Sequence, residues 1–250
     1  MEENFYEQER RMEQGTGAES AMTLSRYTAK TFGLMFLGLL VTFGVAFFIA
    51  YTWPGFYFIR DTLRLTGGYL HWILLIGQLL LVVGISSALR SDGVPAGRAL
   101  VFFLLDCAVM GLVCGTWLLL YELESVVLVF AAAALYFGGM AVFGFVTNMD
   151  LSRLRNLLLA GLIFLIIANV AMWFIPAVGV TEQVVCTIGV VVFLGYTAYD
   201  TQMIRRLYDA FQGDEEMLRK GSIFAALNLC LDFVNLFIYL LRILGRSRKN

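Results

Sequence analysis

Seven stretches of some twenty apolar residues recur along the chain at nearly even intervals: 31–53, 71–89, 99–121, 125–146, 157–177, 184–204 and 223–244. A helix rises 1.5 Å per residue, so about 20 apolar residues cross the roughly 30 Å hydrocarbon layer of a bilayer. The three prolines, Pro54, Pro95 and Pro176, fall at or just past segment ends, where a missing N–H costs little. The chain therefore reads as an all-α integral membrane protein. Its expected parts are a cytoplasmic N-terminal tail (1–30), a seven-helix membrane domain (31–245) and a short basic C-terminal tail (246–250).

Composition excludes the main alternative, a water-soluble domain. Of the 250 residues, 60% are hydrophobic and 15% charged, whereas soluble domains run near 45–50% apolar and about 25% charged. A net charge of only -1 gives no basic surface for nucleic acid. The first thirty residues are acidic and polar and lack the basic-then-apolar order of a cleavable signal peptide, so 31–53 is itself the first membrane anchor. Cys107, Cys114, Cys186 and Cys230 all lie inside apolar segments. No two have C-x-x-C spacing, so they read as small buried residues rather than a zinc or redox site. No resident cofactor is expected.

Lysines and arginines in short connections set orientation. With seven spans and a cytoplasmic N-terminus, twelve of the 18 lie on the cytoplasmic side, including the loops around Arg90 and Arg153 and the loop 205–222. Six lie opposite, and four of those, Arg242, Arg246, Arg248 and Lys249, are in the C-terminal tail. A re-entrant last segment would return the tail inside and change the division to sixteen against two. Energy allows either path. Twelve Ile, Leu, Phe and Val between Ile223 and Leu241 favour insertion by about 0.3–0.6 kcal/mol each, and a central Asp opposes it by about 2.5–3.5. The stretch Gln212 to Lys220 reads as a solvated loop that a helix can also accommodate. The glycines Gly33, Gly38, Gly138, Gly139 and Gly144 and the run Ala131 to Ala134 suit close helix packing. Trp53, Tyr69, Trp72, Tyr121 and Trp173 lie at segment ends, as interfacial aromatic belts do.

Only three acids lie within the apolar segments: Asp106 in the third, Asp200 late in the sixth and Asp232 in the seventh. No Lys or Arg lies deep in any of them. Intramembrane acids face cavities or one another and mark ion paths or relays. Asn228, Asp232, Asn235, Tyr239 and Arg242 are spaced by 4, 3, 4 and 3 residues, which puts them on one stripe of a helix. Gly189, Tyr196, Asp200 and Met203 share a face of the sixth segment by the same rule. A polar seam between segments 6 and 7 follows, with Tyr199 beside it. Two carboxyls in hydrogen-bonding reach cannot both ionise cheaply, so they titrate as one unit. They also supply the hard oxygens that calcium accepts. The plainer reading of such residues is interhelical hydrogen bonding, worth about 0.6 kcal/mol on average.

Specific strings carry a resemblance. The sixth segment ends Thr197-Ala198-Tyr199-Asp200-Thr201-Gln202, and the seventh contains Leu227-Asn228-Leu229-Cys230-Leu231-Asp232-Phe233-Val234-Asn235-Leu236-Phe237. These resemble the Y-D and L-x-L-x-L-D-F-[IV]-N-L-F motifs of the Bax inhibitor-1 family, in particular its bacterial members. The turn Asp150-Leu151-Ser152 also fits. The resemblance implies a seven-helix fold whose last helix is central, in a bacterial inner membrane. It implies a pH-sensitive calcium leak gated by Asp200 and Asp232, which would bind calcium only in transit. It further implies a basic latch at the cytoplasmic end of the second helix, where Arg90 stands. Gln78 stands where some members have Glu, and Asp106 matches no motif of the family.

Two other functions fit parts of the pattern. An intramembrane aspartyl protease also places one Asp on each of two neighbouring helices, the first in a Tyr-Asp pair like Tyr199-Asp200. Its Gly-x-Gly-Asp motif is absent, since Asp232 follows Leu229-Cys230-Leu231, so no enzyme is expected. The second is a non-channel protein that regulates a membrane protease or a cell-death or stress partner.

Overall fold

The structure is a computed structural model that describes residues 22–65, 69–90, 93–174 and 179–247. The described residues form helices joined by short turns: α1 (Leu24–Tyr51), α2 (Trp53–Leu65), α3 (Leu70–Arg90), α4 (Ala96–Leu118), α5 (Leu123–Val146), α6 (Arg155–Phe174), α7 (Gly179–Ala210) and α8 (Glu215–Leu244), with a 3-10 turn at Leu151–Leu154. No strand occurs among them, only one isolated antiparallel bridge between Tyr121 and Ser247. Six of the described helices are long and apolar enough to cross a membrane. The expected span at 71–89 forms α3, whose apolar stretch among the described residues is Ile76–Ser87.

Caps explain where helices outrun the apolar segments. Thr23 accepts a hydrogen bond from the Arg26 N–H, so α1 begins at Leu24 rather than 31. Asp214 accepts from the Met217 N–H at 2.9 Å, and Glu215 and Glu216 occupy the first turn, where negative charge favours the helix. Of the two readings of 212–220, the helical one therefore holds from Glu215, as the first turns of α8, after a turn at Gly213 with φ +89°. Helix α2 was not expected. Pro54 lies in its first turn, where no N–H is needed, and Trp53, Phe56 and Tyr57 are exposed along it. Pro176 and the side chains of Trp72 and Trp173 lie outside the described residues.

Helix α8 is the axis of the bundle. Eighteen of its 30 residues are buried, against 8 of 28 in α1 and 7 of 24 in α5. It packs on α7, α1, α5, α4 and α3. Phe43 of α1, Phe130 and Phe137 of α5, and Phe233 and Phe237 of α8 meet edge to face with centroids 4.8–6.1 Å apart, which suits the ring quadrupoles. The α1–α4–α8 crossing closes at Gly38, where a Cβ would lie 2.6 Å from Phe103 and 2.9 Å from the Cys107 and Cys230 sulfurs. Gly144 likewise meets the Ala198 backbone. Gly33, Gly138 and Gly139 have no such neighbour, so the expectation of close packing holds for two of the five glycines named. All four cysteines are buried and free.

The last segment is one continuous helix between the two ends of α4. Its start meets α4's start, where Glu216 accepts a hydrogen bond from the Ala96 N–H. Its end meets the α4–α5 turn, where the Glu122 N–H donates to the Arg246 carbonyl at 3.1 Å and the Arg246 N–H donates to Ser125 Oγ at 2.9 Å. One uninterrupted helix of 30 residues, about 45 Å long, therefore runs the length of the bundle.

Candidate functional site

The site lies on the face that α7 and α8 turn toward each other. Thr197 and Thr201 of α7 return their hydroxyls to the carbonyls of Phe193 and Thr197, at 2.8 and 2.7 Å. They are satisfied within their own helix and leave Asp200 as the polar group with work to do across it. Asp200 is 6% exposed and Asp232 4%. Their carboxyls lie within hydrogen-bonding reach of each other, and Asp232 Oδ2 is buried with no partner. A carboxylate accepts but cannot donate, so the two can hydrogen-bond to each other only while one of them holds a proton.

The other expected residues distribute unevenly around this pair. Tyr196 lies in the field of both carboxyls. Asn228 is half-buried on α8. Asn235 donates to its own helix, to the Leu231 carbonyl at 2.8 Å. Tyr199 packs with Leu151, Leu158 and Ala198, toward the 3-10 turn and α6. Gln78 is half-buried on α3. Arg90 ends α3, but its side chain lies outside the described residues. Among the described residues, the field of Arg206 reaches Asp200; Arg206 is held over the Tyr199 ring at 5.0 Å and bonded to Gln202. Gln202 also fastens this end of α7 to the α5–α6 connection, accepting from the Leu151 N–H and donating to the Met149 carbonyl. In that connection Asp150 accepts the Ser152 N–H at 3.0 Å. Hydrogen bonds from Ser152 hold its carboxyl below the usual carboxylate range.

Asp106 does not join the pair. It is fully buried on α4, and neither of its oxygens has a hydrogen-bond partner. Its field reaches Cys230 of α8, whose thiol lies in hydrogen-bonding reach of Cys107. Among the described residues no three His, Cys, Asp or Glu side chains converge to hold a metal. The pair therefore offers two carboxyls, not the six to eight oxygens of a resident calcium site.

The α8 stripe continues to a second polar cluster that the spacing only half revealed. The Tyr239 ring stacks on Phe193 and covers Gly189, and its hydroxyl accepts from Asn169 Nδ2 at 3.0 Å. Arg242, its side chain 9% exposed, donates to Glu182 Oε1 at 2.9 and 3.2 Å and to Asn169 Oδ1 at 3.0 Å. It also lies over the Trp117 ring at 5.5 Å. Glu182 and Asn169 were not singled out in the sequence. An Asn in the middle of the apolar segment 157–177 was the available signal.

The protein-family profile described as "Inhibitor of apoptosis-promoting Bax1" matches residues 24–249. "Inner membrane protein YbhL" of Escherichia coli K12 is 35% identical over 226 residues, covering 90% of this chain and 93% of that protein. A protein of Borreliella burgdorferi is 35% identical over 228 residues, covering 90% and 94%, and a membrane protein of Streptococcus pyogenes serotype M1 is 33% identical over 232, covering 92% and 96%. With its apolar helices and its motif-bearing acids in contact across α7 and α8, the chain is a multi-pass integral membrane protein that belongs to the Bax inhibitor-1 family.

Proposed function

We propose that the protein is a pH-sensitive calcium leak, with no enzymatic step, in which the Asp200–Asp232 pair is the gate. The observation that carries this reading is the approach of two buried carboxyls to within hydrogen-bonding reach, one from each of the two helices that form the seam. While a proton is shared, the carboxyls hold α7 and α8 together. When it is lost, two like charges face each other in a poorly screened interior, and repulsion parts the helices. The parted carboxylates attract a divalent cation and offer it too few oxygens to keep it, which suits passage. Protons and calcium thus compete for the same atoms.

In this reading α3 is the seventh span and the N-terminus is cytoplasmic. The membrane is a bacterial inner membrane, the location that the name of the Escherichia coli relative states for that protein.

The test is calcium-dye flux into liposomes that hold purified protein, from about pH 6 to about pH 8, where a perturbed carboxyl pair titrates. Flux is expected to rise with pH in the wild type and to lose that dependence in Asp200→Asn and Asp232→Asn. Absence of wild-type flux, or the same pH profile in all three, would contradict the leak and leave the reading as a non-channel partner of another membrane protein.

A further inference from the structure

We infer that the groove between α1 and α5 binds an anionic phospholipid, with an acyl chain along the groove and the phosphate at Arg205. The groove has a volume of about 620 Å³, within the 300–1,000 Å³ usual for small-molecule sites. Its walls are Phe32, Phe36 and Leu39 of α1 and Phe137, Ala141 and Val142 of α5. Phe36 and Val142 are each 64% exposed, so the groove opens outward from the bundle, on the side that a bilayer surrounds. Its floor includes Gly138, where a Cβ would meet nothing within 4 Å. A multi-pass protein keeps such a groove filled, and the apolar walls suit a hydrocarbon chain.

Polar groups at one end of the groove select the headgroup. Thr28, Phe145 and Val146 line that end. Thr31 returns its hydroxyl to the Tyr27 carbonyl at 3.0 Å, as helical threonines commonly do. Thr28 Oγ1 instead is buried with no partner, a free donor for a glycerol ester or phosphate oxygen. The Arg205 guanidinium lies 4.4 Å over the Phe145 ring. Arg205 is exposed and makes no ion pair among the described residues. It stands just past the apolar part of α7, at headgroup depth. An aromatic face that holds a cation, next to an unused hydroxyl, is suited to a phosphate, which arginine grips through paired N–H donors. Basic residues at this depth favour anionic over zwitterionic lipid.

Native mass spectrometry of the full chain in detergent tests this by titration with phosphatidylglycerol and phosphatidylcholine of identical acyl chains. The measurement contains no calcium, so it stands apart from the leak reading. Phosphatidylglycerol is expected to bind at least about fivefold more tightly than phosphatidylcholine. Arg205→Gln should erase that preference, whereas Arg153→Gln, an exposed cation on the 3-10 turn, should leave it intact. Gly138→Leu, which adds bulk to the groove at a position where a Cβ meets nothing within 4 Å, should weaken both lipids with the melting temperature unchanged. Equal binding of the two lipids by the wild type, or a preference that survives Arg205→Gln, overturns the headgroup assignment. Lipid binding untouched by Gly138→Leu, or a wild-type dimer that Gly138→Leu dissociates, overturns the groove as a lipid site and assigns it to a second copy of the chain.

Discussion

The two ends of the α7–α8 seam are built on opposite principles. At the Arg242 end a cation meets a carboxylate, an amide oxygen and two aromatic faces, so its charge and its donors are largely satisfied. At the Asp200 end two acids meet each other, and one buried oxygen has no partner. Removing one member of a satisfied cluster only damages it, because the partner left behind is unpaired. Moving one proton in an under-satisfied pair changes its state from attraction to repulsion. In the proposed gate the seam has a fixed end and a switchable end. A helix pair pinned at one end and repelled at the other splays rather than separates.

The largest effect expected from breaking this contrast is functional. Asp232→Asn should abolish the pH dependence of calcium flux, while Arg242→Met should keep it, with flux read in the same liposomes. Next is packing. Gly38→Leu drives a side chain into Phe103, Cys107 and Cys230 and should cost about 1–3 kcal/mol or more, seen as a lower melting temperature. Arg242→Met leaves Asn169 and the half-exposed Glu182 without their donor. It should cost roughly 1–3 kcal/mol, and Asn169→Ala about 1 kcal/mol. If Arg242→Met proved neutral in stability, the fixed end would not be fixed. The smallest effect is at Asp150, an exposed turn residue. Its carboxyl is held below the usual range, so its stabilisation is present at neutral pH and is lost as pH falls through the folded-state value. The melting temperatures of wild type and Asp150→Asn should therefore differ slightly at neutral pH and converge in acid.

Much of this architecture was legible before any coordinates. Length and apolarity mark the spans because hydrocarbon leaves a segment few options, and the 4-3-4-3 spacing set Asp232, Tyr239 and Arg242 on the face that α7 covers. Helix α2 escaped notice because its apolar residues mix with Arg60, Asp61 and Arg64, a pattern that a span-length criterion passes over. The extra turns of α8 depend on the Asp214 cap, and a polar stretch of that kind reads equally as loop. Glu182 and Asn169 were hidden because their partner lies 60 and 73 residues away, a distance no local spacing reports. The basic latch expected at Arg90 came from the resemblance alone. Among the described residues a cation whose field reaches Asp200 is Arg206, six residues along the same helix, where the rule that an acid deep in a segment meets a partner from another helix does not look.

The shared proton is the centre of this mechanism, and infrared titration of the protein in nanodiscs measures it directly. Protonated carboxyls absorb apart from ionised ones, and subtracting the Asp200→Asn spectrum isolates the pair from Asp106. The prediction is a protonated-carboxyl band that belongs to the pair near pH 6 and disappears toward pH 8, in step with the rise in calcium flux. A pair that shows no protonated band, or keeps it unchanged while flux changes, would contradict the aspartate gate.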